Sequence, residues 1–228
     1  ACGALKNTVF IPFCTVKPDF FSPAAGQIFL EKEIFETEDI VLRTMLGYLQ
    51  SDDLIKKKNY CNAIICDEGQ VPKFIVDKLL NGTINKVVIT GMGTCYTAAV
   101  AISGYMREML ELFSPDIIVE PHVASDGSAF YINPQMNDTL VIVIAQSGTT
   151  IVTNVYVQMA KERGASTLAI ANKREGDVTH IVDGTLYIGS GRDIEIAVPS
   201  TKTYTAQVIL GYILTLYFCA KANKNGKN

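Results

Sequence analysis

The stretch VIVIAQSGTT, residues 141–150, constrains the fold of this chain more than any other part of it. Its five opening apolar residues form an unbroken run, which reads as a strand buried on both faces, the habit of parallel sheets. The run stops at Gln-Ser-Gly-Thr-Thr, a donor-rich turn that opens the next helix. Gly148 permits the tight turn. Ser147, Thr149 and Thr150 bring hydroxyl donors and Gln146 an amide. Backbone N–H groups at a helix start attract anions, so the junction predicts a phosphate cradle. Ser and Thr at a helix start are also ordinary N-caps, and that plainer reading stands beside the first.

The pattern repeats along the chain. Strands are predicted over 86–94, 116–121, 139–146, 166–172 and 185–189, with helices over 95–113, 124–132, 150–164 and 200–221 and a helical turn at 177–183. Upstream, the spacing of Ile34, Phe35, Ile40, Leu42, Met45, Leu46 and Leu49 predicts one amphipathic helix over 31–50. A second, over 70–80, is closed by Asn81 and Gly82. Strands alternating with helices at this spacing give an α/β fold, a three-layer α-β-α sandwich around a mainly parallel, doubly wound sheet. Residues 1–28, with Pro12, Pro18 and Pro23, read as an N-terminal arm, 29–222 as the domain and 223–228 as a polar tail.

Composition narrows the partners. A formal charge of −3 and 48% apolar residues describe neither a nucleic-acid surface nor a disordered chain, so a small molecule is expected. Cys2, Cys14, Cys61, Cys66, Cys95 and Cys219 show no CxxC spacing, and His122 and His180 are the only histidines. A zinc site is therefore poorly supported, and neither metal nor cofactor is expected. Reduced thiols and the absence of a signal-like start predict a cytoplasmic protein. The apolar stretch 204–220 is interrupted by Thr205, Gln207 and Thr215. It falls short of the roughly 20 residues a bilayer demands, so a core or interface helix is expected and no membrane partner.

Ligands of doubly wound sheets sit at the carboxyl ends of the strands. Three segments meet that rule: Thr90 to Cys95, Gln146 to Thr150, and Glu195 to Lys202. The first is only loosely like a dinucleotide loop, lacking the third glycine and a placed acidic residue. In the last, Pro199 precedes Ser200 as the expected N-cap of the final helix, with Lys202 in its first turn.

These segments, in this order, resemble the SIS (sugar isomerase) family, and more narrowly the first SIS domain of the isomerase part of glutamine:fructose-6-phosphate amidotransferases. The family's QKEIFEQP is similar to Glu31 to Glu36, its CGTSYNA to Met92 to Ala98, its SQSGET to Ala145 to Thr150, and its EIGVASTKAFT-Q to Glu195 to Thr205 with Gln207. The likeness covers about residues 29–220. It implies a sugar-phosphate pocket in which Gln146, Ser147 and Thr150 hold the phosphate, Gly93, Thr94 and Cys95 approach from the first loop, and Val198 and Ser200 line the sugar. Ala145, Gly148, Thr149 and Lys202 fall within the same motifs. Cys95 and Ala145 stand where the family has serines, and Thr149 where it has glutamate. The resemblance also implies that catalysis draws on a second SIS domain, a neighbouring subunit and a C-terminal tail, hence a homodimer or pairing with another SIS domain.

Isomerisation between aldose and ketose needs a group that moves a proton between adjacent carbons. Glu195 is the carboxylate placed for it, unless it pairs locally with Lys202 or Arg192. Lys202 has two readings, phosphate steering or structural contact. His180, among Val178, Ile181 and Val182, is expected to be packed or at an interface. Cys95, at a helix start, is expected to have a lowered pKa. The expected function is binding of a phosphorylated hexose or amino sugar, of the fructose 6-phosphate or glucosamine 6-phosphate type. The domain would serve aldose–ketose isomerisation or amino-sugar phosphate synthesis or deamination within a larger or oligomeric enzyme. A non-catalytic sugar-phosphate sensor and a standalone phosphosugar isomerase are the alternatives.

Overall fold

Every residue of Thr139–Ala145 is buried, as a strand covered on both faces requires. In the computed structural model, which describes residues 9–11, 14–16, 25–49, 63–130, 132–196 and 200–224, this strand is the middle of a five-stranded sheet. Before the sheet come an antiparallel pair, β1 (Val9–Ile11) and β2 (Cys14–Val16), and three helices, α1 (Ala25–Phe35), α2 (Thr37–Tyr48) and α3 (Lys73–Leu80). Then follow β3 (Lys86–Gly91), α4 (Thr94–Glu111), β4 (Ile118–Val123), α5 (Ala124–Phe130), β5 (Thr139–Ala145), α6 (Ile151–Glu162), β6 (Ser166–Ala171), α7 (Asp177–Ile181), β7 (Gly184–Tyr187) and α8 (Lys202–Lys224).

The sheet is parallel throughout, in the order β4-β3-β5-β6-β7. Successive strand side chains point to opposite faces, so neighbours enter different cores. Ile142 joins Ile89, Leu168, Ile102 of α4 and Leu214 of α8 on one face. Val143 joins Val88, Ala169 and the α6 residues Tyr156, Val157 and Ala160 on the other. Each fully buried side chain of this size stabilises the fold by about 1.5–3 kcal/mol. The α/β sandwich read from the sequence is the one observed.

Several local expectations change. The apolar spacing over 31–50 continues through a break: Glu36 is a turn residue, and two helices replace one. Phe35 and Leu46 are among the most exposed apolar side chains, so part of that spacing faces solvent rather than core. The last helix starts at Lys202, and Ser200 does not cap it. α1 begins at Ala25, ahead of the expected domain start at 29, and most of the expected arm and tail lie outside the described residues. His180 is exposed on α7 rather than packed, because Val178 takes the buried face of that short helix.

α8 is, by length and composition, apolar enough to cross a membrane over Lys202–Asn223. Here 61% of its apolar window is buried, and Leu210, Leu214 and Phe218 belong to the core.

The topology creates one crevice. From β3 the chain steps outward to β4 and then returns past β3 to β5. The loops leaving β3 and β5 therefore diverge, one into α4 on the first face and one into α6 on the second. Such a switch point is where doubly wound sheets leave room for a ligand.

Candidate functional site

A cleft of about 630 Å³ opens at that point. Its floor is the end of β5, at Ile144 and Ala145. One side is the β3–α4 turn, Met92 to Cys95, and the other is the β5–α6 loop with Gln146, Ser147, Gly148 and Thr150. Glu195 and Ser200 close it from the β7–α8 connection.

Local rules shape both loops. Gly91 is required by close approach: a Cβ there would meet the Cys95 backbone carbon at 2.8 Å. Gly148 has φ +71°, and a Cβ there would lie 3.0 Å from the Gly176 Cα. The loop is held from behind, where Val178 N–H donates to the Gly148 carbonyl at 3.1 Å and Asn154 Nδ2 donates to it at 3.2 Å.

Thr150 occupies the N-cap position of α6, yet its side chain makes no capping hydrogen bond. The cap-only reading of this hydroxyl therefore finds no support. Among the described residues, the N–H groups of Ser147, Gly148 and Thr150 meet no protein acceptor. Thr149 bends back instead, with its Oγ1 3.0 Å from Ser147 Oγ, and is exposed outside the cleft. What remains is a concave set of neutral donors at a helix N-terminus, with the helix dipole behind it.

Cys95 lines the cleft at 8% exposure. Burial pushes its thiol above the ordinary range, outweighing hydrogen bonds from the Gln207 side chain and the Gln146 backbone that act the other way. The lowered pKa expected from its helix-start position is thus reversed. The cause is the loss of water around a thiolate on burial.

Glu195 is the best-tethered group of the outer wall. Its Oε1 accepts the Thr201 N–H at 2.7 Å and its Oε2 the Ser200 hydroxyl at 2.8 Å; Thr203 Oγ1 also donates to Oε2. The carboxylate thereby satisfies an N–H just ahead of α8 and favours the positive end of that helix dipole. Lys202 does not pair with Glu195, and of its two readings the structural contact is the one observed. Its side chain is 6% exposed and its Nζ lies 2.5 Å from Glu36 Oε2, turned away from the cleft. No lysine or arginine lines the cleft among the described residues.

Ten of the sequence-derived residues therefore meet at one cleft: Gly93, Thr94, Cys95, Ala145, Gln146, Ser147, Gly148, Thr150, Glu195 and Ser200. Thr149 and Lys202 stand outside it, and Val198 lies outside the described residues. Sequence reasoning missed Met92, Ile144, Thr153 and Asn154. Asn154 carried a usable signal, since it sits four residues after Thr150, one helical turn along the same face. Among the described residues no group of three His, Cys, Asp or Glu side chains is gathered to hold a metal. Cys66, Cys95 and Cys219 are free thiols.

The fold and cleft define a doubly wound α/β domain whose site is built from two helix-opening loops at the switch point. Residues 83–217 match the model of the SIS domain family, and the chain belongs to that family. It is 32% identical over 197 residues to the glutamine–fructose-6-phosphate aminotransferase [isomerizing] of Fusobacterium nucleatum, covering 86% of this chain and 28% of that enzyme. The enzyme of the same name from Clostridium tetani is 35% identical over 191 residues, covering 83% and 28%. The chain thus spans little more than a quarter of these curated relatives. Among solved structures, the C-terminal domain of glucosamine-fructose-6-phosphate aminotransferase from Francisella tularensis superposes with a TM-score of 0.65 at 21% identity, over 86% of this chain and 48% of that one.

Proposed function

We propose that this SIS domain binds a phosphorylated hexose or amino sugar, of the fructose 6-phosphate or glucosamine 6-phosphate type. It would do so as one domain of an aldose–ketose isomerase or amino-sugar phosphate synthase, completed by a second SIS domain or a second copy. The observation that carries this reading is the uncapped start of α6, where Gln146, Ser147 and Thr150 face a cleft with free N–H groups beside them. A phosphate ester at that point meets several neutral donors and the positive end of a helix dipole, without a metal. The names of the curated relatives support the sugar half of the ligand.

Among the described residues that line the cleft, only Glu195 and Cys95 carry side chains that ionise in the ordinary pH range. Burial keeps Cys95 a thiol, which leaves Glu195 to carry a proton between the first two carbons through an enediol. One observation favours the sensor reading: both Glu195 oxygens already accept hydrogen bonds. Calorimetric titration with fructose 6-phosphate, glucosamine 6-phosphate, fructose and inorganic phosphate tests the reading. Both hexose phosphates should bind more tightly than phosphate, and fructose should not bind measurably. Equal indifference to all four removes the proposal.

A further inference from the structure

The described residues of the connection from β7 to α8, 188–196 and 200–201, form neither helix nor strand and include two cleft residues, and side chains of α1, α2 and the turn between them reach this part of the chain. Tyr48 Oη receives the Tyr187 N–H at 2.7 Å and donates to the Tyr187 carbonyl at 3.0 Å. Thr44 Oγ1 receives the Gly189 N–H at 2.7 Å. Arg43 reaches Asp193 at 2.8 Å. Glu33, 3% exposed, takes the Ile196 N–H at 2.6 Å, and Glu36 takes the buried Lys202 ammonium. Irregular backbone has no ladder to satisfy it, so its N–H groups must find acceptors elsewhere. Here side chains of α1 and α2 accept three N–H groups at and beyond the end of β7, those of Tyr187, Gly189 and Ile196, while Arg43 and the turn residue Glu36 add ion pairs to Asp193 and Lys202.

The last two ties flank the functional wall. Ile196 adjoins Glu195, and Lys202 follows Ser200 by two residues. The phosphate cradle, by contrast, is held from the opposite face by Val178 and Asn154. The two halves of the cleft thus hang from different parts of the fold.

We propose that α1 and α2 are a strap that sets the sugar-facing wall, with Glu33 and Glu36 as positioning residues for Glu195 and Ser200. The inference rests on the sugar-phosphate reading of the cleft. Its distinctive consequence is separability: slackening the strap moves the wall and leaves the cradle in place. Glu33 acts as an acceptor for an N–H, so glutamine at that position can replace it and methionine cannot.

The test compares the full chain with Glu33→Met and Glu33→Gln. Without ligand, hydrogen exchange at the amides of Glu195, Ile196, Ser200 and Thr201 should quicken by about tenfold in Glu33→Met and stay near wild type in Glu33→Gln. Fructose 6-phosphate affinity should fall about tenfold in Glu33→Met alone, since a displaced wall loses its contacts, while inorganic phosphate binds as before. Should Glu33→Met not fold, Arg43→Leu, at a partly exposed tie, should produce the same split in milder form. Wild-type exchange and sugar-phosphate affinity in these variants, or an equal loss of inorganic phosphate, overturns the strap. If the wild type binds neither anion, the reading of the cleft fails and the exchange comparison alone decides the strap.

Discussion

Gln207 Nε2 lies 3.7 Å from Cys95 Sγ, with Gln207 wholly buried behind the cleft and Cys95 on its lining. Among the described residues the Gln207 Oε1 has no hydrogen-bond partner. Sulfur is a weak donor and acceptor, so this contact under-uses both the amide and the position. The family resemblance has a serine there, whose hydroxyl bonds at full strength.

Cys95→Ser should therefore bind fructose 6-phosphate more tightly, by about 1 kcal/mol or roughly fivefold, through one added hydroxyl donor. Calorimetry reads this directly, and an unchanged or weaker affinity counts against a ligand at the β3–α4 turn. In the wild type, burial holds the thiol pKa above the ordinary 9.0. Alkylation of Cys95 should be slow at neutral pH and speed up only at alkaline pH, followed by mass spectrometry.

Alkali should also loosen the fold. Burial pushes Cys66 from 9.0 to about 12, and Tyr156 and Tyr217 from 10.0 to about 12. Unfolded, these groups lose their protons near the ordinary values; folded, they hold them until about 12. The native state then binds more protons, so stability is complete below about pH 9 and falls as pH rises from there toward 12. The Tyr156 hydroxyl is buried with no partner among the described residues. Tyr156→Phe should raise stability by about 1 kcal/mol and make the alkaline loss shallower, because it removes an unsatisfied polar atom. Thermal melts on either side of pH 10 check both, and a destabilised Tyr156→Phe would show that the hydroxyl has a partner.

The sheet was legible because burial on two faces writes itself into sequence as an unbroken apolar run, as in 139–145. The cradle was legible because a donor-rich turn follows such a run. The break at Glu36 was not, since Ile34 and Phe35 continue the helical spacing although both are exposed. What the break serves is a buried lysine 166 residues away, which no local pattern encodes. For the same reason Lys202, a cation near a helix start, keeps two readings in the sequence, phosphate steering and structural contact, until its distant partner Glu36 is seen. Cys95 misled differently: helix position can be read from sequence, whereas depth of burial depends on the packing of α4 against α8.

Gly148→Ala should cost about 1–3 kcal/mol, because alanine at φ +71° is strained and its Cβ crowds the Gly176 backbone. The cradle loop would shift, so phosphate and sugar phosphate should both weaken. Gly47→Ala is the control. It is a glycine of α2 with nothing within 4 Å of an added Cβ, and the change should stabilise by about 0.5–1 kcal/mol. Chemical denaturation of the two variants gives opposite signs, and equal signs would argue that the loop tolerates a side chain.

Glu195 holds two roles that substitution can part. As an acceptor ahead of α8 it binds the Thr201 N–H and the hydroxyls of Ser200 and Thr203. As a base it must take a proton from carbon. Glutamine keeps a carbonyl oxygen for the Thr201 N–H, and its amide can donate to hydroxyls that rotate to accept. Glu195→Gln should then stay within about 1 kcal/mol of wild-type stability and bind fructose 6-phosphate within a few-fold. Glu195→Ala removes the acceptor of the Thr201 N–H and leaves the Ser200 and Thr203 hydroxyls with only each other, and should lose about 1–2 kcal/mol together with sugar binding. Chemistry separates the readings. If the domain is catalytic, solvent deuterium enters fructose 6-phosphate in the presence of wild type, and Glu195→Gln slows that incorporation by about 10²–10⁴-fold while binding persists. Incorporation at the wild-type rate in Glu195→Gln assigns the base elsewhere. Binding without incorporation by the full chain, alone and mixed with a partner SIS domain, selects the sensor. Its Glu195 would then be a structural carboxylate, fixed by the Thr201 N–H and the hydroxyls of Ser200, Thr201 and Thr203 that already surround it.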